Sequence, residues 1–271
     1  MTEEMFVSDD ISQKIQKFDS IIFDCDGVLV DIRNSYDHAI NKTISAIMNE
    51  LFNEKISDVV NSKILYGLKS AGGFNDEVAV VYAVVMTLVA SKKSNLKFEK
   101  LIIDVIENAN ESGINSIDNY FINQNIDLKE IKLKLDYENS RKISYIHRIF
   151  NQLFYGPVLY EEIFNEKSQF SEKPLIDLDN IVLDDNLMSK LKTRFGNKIS
   201  TVTGRGNFAF SYSMKNYLDN FDMKHSVFLE DRPLNLAKPN PKSFQIFKAF
   251  PFLSKPAAKP TGLQKSIPHI F

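Results

Sequence analysis

Phe23-Asp24-Cys25-Asp26-Gly27-Val28-Leu29-Val30-Asp31 is the stretch on which the reading of this chain turns. Just before it, Ser20-Ile21-Ile22-Phe23-Asp24 is a short apolar run flanked by polar residues, the pattern of a buried strand. The strand runs straight into two carboxylates two residues apart. Alternation along an extended chain puts Asp24 and Asp26 on one side and Cys25 on the other. Gly27 then lets the chain turn sharply. Two carboxylates ~4 Å apart repel by roughly 1–4 kcal/mol, depending on the effective dielectric. A divalent cation removes that cost, and oxygen donors of this kind suit Mg²⁺. Alternatively, one carboxyl keeps its proton and serves as a general acid. Asp-x-Asp alone is an acidic turn after a strand. The apolar strand before it and Gly-Val-Leu-Val-Asp after it make it a candidate site.

Outward from this point the chain changes character twice. From about Asn34 to Lys173 one helical pattern follows another, and no convincing strand interrupts them. Tyr36 to Leu51 carries apolar residues at 36, 39, 40, 44, 47, 48 and 51, and Lys55 to Leu68 repeats the period. Asp76 to Ser91 holds the longest apolar run, with Asn75 as the expected N-cap. Leu101 to Asn108, Leu128 to Leu135 and Arg141 to Phe154 continue the pattern, and Gly156-Pro157 marks a break. Strands return in the last third. Lys198 to Thr203 and His225 to Glu230 are clear, and Ile181 to Leu183 is weaker. Short strands leading into helical patterns predict βα units, a parallel sheet, and ligands at the carboxyl ends of its strands.

Two more stretches carry candidate chemistry. Ser200-Thr201-Val202-Thr203-Gly204-Arg205-Gly206 ends a strand in a hydroxyl and a glycine, with a helix from about Asn207. A hydroxyl and backbone N–H groups at a helix start make an anion site. Ala237-Lys238-Pro239-Asn240-Pro241 offers a cation in a Pro-stiffened loop. Between two predicted helices, Gly72-Gly73-Phe74-Asn75-Asp76 reads as a tight loop.

Taken in order, these motifs resemble those of the haloacid dehalogenase (HAD) superfamily of phosphotransferases. The resemblance implies that Asp24 attacks phosphorus to form an aspartyl-phosphate. It makes Asp26 the acid that protonates the leaving group and then activates water. An Asp at the second position favours phosphoryl over carbon–halogen chemistry. Thr203 resembles the phosphoryl-binding hydroxyl of the second motif, with Gly27, Gly204 and Arg205 as further phosphate contacts. Lys238 resembles the lysine of the third motif, whose cation does the electrostatic work of phosphoryl transfer. Mg²⁺ is the implied cofactor, held by Asp24 and Asp26. A doubly wound, Rossmann-like α/β core is implied over residues 18–34 and 179–250. An all-helical cap over 35–178, inserted after the first strand, would reach the substrate through Lys69, Gly73 and Asn75. Residues 251–271 read as an irregular tail. Asp31 to Tyr36 and the Glu230-Asp231 pair also resemble a small clade of the helical-cap branch.

The family's acidic fourth motif has no counterpart, since no Asp or Glu follows Asp231. The core is thus expected to stop short of that motif. Mg²⁺ would then be held by Asp24, the Asp26 carbonyl and water, with Glu230 or Asp231 as substitutes. The leading expectation is a Mg²⁺-dependent phosphatase acting on a small phosphorylated metabolite. The alternatives are a catalytically impaired relative that binds a ligand or partner, and a phosphomutase on the same core.

Composition sets the outer bounds. The chain has 271 residues, enough for two domains, with 44% hydrophobic and 25% charged residues, an ordinary globular balance. A net charge of −2 gives no basic field for nucleic acid or an anionic membrane. The single cysteine, Cys25, excludes an intramolecular disulfide and a Cys-cluster zinc site. The four histidines are too dispersed to form a ligand-spaced pair. Val78 to Ala90, at 13 residues, is shorter than the ~20 that a bilayer needs. The acidic start lacks the pattern of a secretory signal. A cytoplasmic setting follows as the expectation, while composition is silent on oligomeric state.

Overall fold

The computed structural model describes residues 17–141 and 143–232. By internal contacts the chain divides into two units. One takes in residues 17–25, Met188–Asn207 and 217–232 of the described chain, and the other takes in Asp26–Leu187 and Phe208–Asn216. The described strands are β1 (Ile21–Phe23), β2 (Val30–Asp31), β3 (Asn180–Ile181), β4 (Ile199–Thr203) and β5 (Val227–Phe228).

In the first unit β1, β4 and β5 form a parallel sheet in the order β1-β4-β5. The register sets Phe23 against Thr201 and Thr203 against Phe228. This is an α/β arrangement compatible with a Rossmann-like core. β4 is buried along its whole length, as its run of β-branched residues and serine predicts for an inner strand. On one face Val202, Val227 and Leu229 cluster. On the backbone side the Ser226 hydroxyl accepts from the Thr201 N–H at 3.1 Å, and the Thr201 hydroxyl donates to the Phe23 carbonyl at 2.9 Å.

The second unit carries seven helices among the described residues ahead of β3. They are α1 (Arg33–Phe52), α2 (Ser62–Ser70), α3 (Glu77–Ser94), α4 (Phe98–Asn108), α5 (Ile114–Asn123), α6 (Lys129–Leu135) and α7 (Tyr145–Phe164). α3 is buried on every side from Val78 to Ser91, which accounts for its apolar run. Around it pack Ile40, Ile44 and Ile47 of α1, Leu101 and Val105 of α4, Ile117 and Phe121 of α5, and Phe150 and Leu153 of α7. α8 (Asp185–Phe195) and α9 (Asn207–Ser213) follow β3 and β4. No helix among the described residues is long and apolar enough to cross a membrane.

The structure departs from the sequence reading at several places: α5 matches none of the expected helices, and α7 starts at Tyr145 instead of Arg141. Helix was expected from Lys55, but α2 begins only at Ser62. Asn61 caps it, accepting from the Lys63 and Ile64 N–H groups. The segment before it is held by side chains of α1 instead of by helical bonds. The Asn41 amide pairs with both backbone groups of Val60, at 2.8 and 2.9 Å, and the Ser45 hydroxyl donates to the Ile56 carbonyl. The cap of α3 is Asp76, which accepts from the Val78 N–H at 2.9 Å, and not Asn75. The Gly156-Pro157 break is a kink at Gly156 (φ 66°), after which the helix resumes to Phe164. The Ile181 to Leu183 run yields only the two-residue β3, which pairs antiparallel with β2 in the second unit and does not join the parallel sheet. The Val182 N–H continues that pairing by donating to the Leu29 carbonyl at 2.9 Å.

Candidate functional site

Asp24 is the first residue beyond β1 and is exposed. Its Oδ1 accepts the Cys25 N–H at 2.8 Å, which orients the carboxylate where the strand ends. Cys25 is fully buried, so the two neighbours face opposite ways, as alternation predicts. β4 runs parallel beside β1 and ends at Thr203. A carboxylate and a hydroxyl therefore terminate adjacent parallel strands at their carboxyl ends, where α/β sheets collect ligands.

The turn after Thr203 is held tightly. Thr203 is fully buried, and its Oγ1 accepts the Arg205 N–H at 3.1 Å. Gly204 is exposed, and a Cβ built on it would meet nothing within 4 Å. Arg205, expected to face a phosphate, is one of the most deeply buried side chains, at 2% exposure. The next two N–H groups meet carboxylates: Gly206 donates to Glu230 Oε2 and Asn207 to Asp231 Oδ2, each at 2.8 Å.

Asp26 and Gly27 open the second unit. Gly27 adopts φ 75°, a conformation that favours glycine, and its N–H donates to the Val30 carbonyl at 2.8 Å. Lys69, near the end of α2, donates to Glu77 Oε1 at 3.0 Å. Burial works to lower the Lys69 pKa, but the charges of Glu77, Asp37 and Asp26 outweigh it and hold the ammonium above its ordinary value. Burial raises the Asp37 carboxyl, with Lys69 opposing. Asp26, Asp37, Lys69 and Glu77 thus form one electrostatic cluster within this unit. The sequence reading missed Asp37 and Glu77. The signal for Glu77 was available, because an acidic first-turn residue on α3 follows Lys69 across a short loop. Asp31, the last residue of the opening stretch, is gripped by the Arg33 guanidinium and backbone N–H, and its pKa falls to about 2.

The other loop candidates divide. Gly73 packs backbone to backbone on a second loop, and a Cβ there would sit 2.4 Å from the Gly113 nitrogen and 2.5 Å from the Asn110 carbonyl oxygen. This close approach is the reason for glycine at that position. Asn75 is exposed and reaches the Gly72 carbonyl at 3.5 Å. A cavity of about 350 Å³ in the helical unit is lined by Met86, Asp118, Phe121, Ile122, Leu128 and Lys132 among others, none of them a sequence candidate. Lys238 lies outside the described residues, as do the 251–271 tail and the acidic start.

The donors at the Asp24 strand end fit a hard cation in kind, since they are carboxylate and carbonyl oxygens and Mg²⁺ keeps several waters when bound by one or two carboxylates. Among the described residues no group of three or more His, Cys, Asp or Glu is gathered as a metal cluster. The Glu230 and Asp231 oxygens proposed as substitutes accept backbone N–H groups.

These features describe an α/β protein with an acidic strand end, a class that includes phosphatases. No protein-family model matches the chain, and no curated protein matches it. Two solved structures share its fold. Phosphatase Tt82 from Thermococcus thioreducens aligns over 84% of this chain and 78% of its own, with 19% identity and a TM-score of 0.57. Northeast Structural Genomics Consortium target ZR25 aligns over 85% of this chain and 77% of its own, with 18% identity and a TM-score of 0.60.

Proposed function

We propose that the protein is a Mg²⁺-dependent phosphatase of the haloacid dehalogenase type, acting on a small phosphorylated metabolite. The observation that carries this is the placement of Asp24 and Thr203 at the carboxyl ends of adjacent parallel strands. The order of the motifs and the fold shared with a solved phosphatase support it.

Asp24 is the nucleophile. Its carboxylate oxygen forms a bond to phosphorus as the ester P–O bond breaks, and the Asp26 carboxyl gives its proton to the departing oxygen. The Asp26 carboxylate then takes a proton from water as that water attacks phosphorus. The Asp24–phosphorus bond breaks and inorganic phosphate is released. The Thr203 hydroxyl donates to a phosphoryl oxygen, the backbone at Gly27 and Gly204 approaches the group closely, and Lys238 supplies positive charge. Mg²⁺ bound through Asp24 and the Asp26 carbonyl would neutralise phosphoryl charge. The helical stretch 35–178 acts as a cap that selects the substrate, with Lys69, Gly73 and Asn75 as its contacts.

The test is hydrolysis of an aryl phosphate with Mg²⁺ and with EDTA, for the wild type and Asp24→Asn. Magnesium-dependent release of phosphate that disappears in the variant is the expected result. Activity that survives Asp24→Asn would sink the assignment.

A further inference from the structure

The turn Gly204-Arg205-Gly206-Asn207 has two glycines, and a turn of that composition is costly to order. Yet three successive backbone N–H groups in it are met by side-chain oxygens. Arg205 donates to Thr203 Oγ1, Gly206 to Glu230 Oε2 and Asn207 to Asp231 Oδ2. Hydrogen bonds to ionised acceptors are roughly twice as strong as neutral ones. The two carboxylates lie two and three residues beyond the end of β5, and the Leu229 N–H between them and the strand donates to the Thr203 carbonyl at 3.0 Å. The end of β4 is therefore tied to the end of β5 through main chain and side chains together. Gly206 is part of the fit, since a Cβ there would lie 3.0 Å from Asp231 Oδ1 and 3.1 Å from Glu230 Oε2.

We propose that Glu230 and Asp231 are positioning residues that lock the turn after β4, so that the Thr203 hydroxyl is presented in one orientation. They act as built-in acceptors for Gly206 and Asn207, not as metal ligands. The kinetic part of this proposal rests on the phosphatase reading; the turn-locking part does not.

Four variants are compared with the wild type: Glu230→Ala, Asp231→Ala, Glu230→Gln and Asp231→Asn. A side-chain amide oxygen still accepts the N–H bond but carries no charge for a cation. With an aryl phosphate, the alanine variants are expected to lose about tenfold in kcat with little change in KM, and the amide variants to recover to within about threefold of wild type. The Mg²⁺ concentration for half-maximal rate stays within about twofold in all four. Amide hydrogen exchange at Gly206 and Asn207 speeds by about tenfold or more in the alanine variants. An amide variant that raises the Mg²⁺ requirement about tenfold makes the residue a metal ligand and overturns the proposal. Unchanged exchange in the alanine variants overturns it as well, as does unchanged kcat. If the wild type releases no phosphate, the phosphatase reading fails and the exchange measurement alone decides whether the pair locks the turn.

Discussion

The two units differ in where their carboxylates meet main chain. In the helical unit charged side chains close pairs across the fold. Lys69 meets Glu77, Arg141 meets Asp76, and Lys132 meets Asp118, which also accepts the Tyr82 hydroxyl at 2.6 Å. In the α/β unit Lys198 pairs with Asp19 in the same way, but at the strand ends Asp24, Glu230 and Asp231 each accept a backbone N–H group. A charge paired with another side chain supports packing. A carboxylate that accepts main-chain N–H groups at a strand end has its place set by the backbone of the sheet. Chemistry is expected from the second arrangement, and stability from the first.

The sharpest way to break this contrast is Asp24→Asn. The rate of aryl phosphate hydrolysis is expected to fall by about 10³-fold or more, while the midpoint of thermal unfolding hardly moves because the side chain is exposed. A large loss of stability would place Asp24 among the structural charges. Ile117→Ala tests the other side. Ile117 is fully buried, and its truncation is expected to cost ~2–5 kcal/mol in denaturant unfolding. The rate per folded molecule should stay near wild type. Gly73→Ala forces a methyl against the Gly113 backbone and is expected to cost ~1–3 kcal/mol. If stability were untouched and KM rose, Gly73 would belong to substrate recognition.

The smallest effect comes from His147. Its ring is buried, hydrogen-bonded through Nδ1 to the Ser144 hydroxyl at 2.8 Å and tilted against Tyr137. Burial pushes its pKa below the ordinary 6.5, Arg141 pushes the same way, and Asp76, 4.0 Å away, opposes them. Below pH 6.5 the unfolded chain therefore binds a proton that the folded chain resists, so stability falls with acidification. A loss of ~1–2 kcal/mol is expected between pH 7 and pH 5, and His147→Gln should flatten that slope in urea titrations. An unchanged slope would mean that His147 is not the group that titrates.

Local patterns carried much of this fold. The apolar run before Asp24 is β1, the run ending at Thr203 is β4, and the periodic stretches are α1, α3, α4 and α7. Each is set by neighbours within a few residues, which sequence displays directly. The failures came where side chains from afar replaced local hydrogen bonding. Asn41 and Ser45 take the backbone of 56–60 away from helix, and β2 draws Ile181 out of the parallel sheet. The electrostatic neighbours of Lys69 were hidden for the same reason, since Asp37 lies one helix earlier in the chain.

The residues around Asp24 were readable from sequence because an apolar strand, a carboxylate and a turn glycine are consecutive. Their consecutive placement is itself the physical constraint. What Glu230 and Asp231 do could be decided only in three dimensions. Their acceptors and the N–H groups of Gly206 and Asn207 are separated by 24 residues, and no local periodicity links them. Only the pairing of β4 with β5 brings them within hydrogen-bond reach, turning what reads as a spare pair of metal ligands into the fastening of a turn.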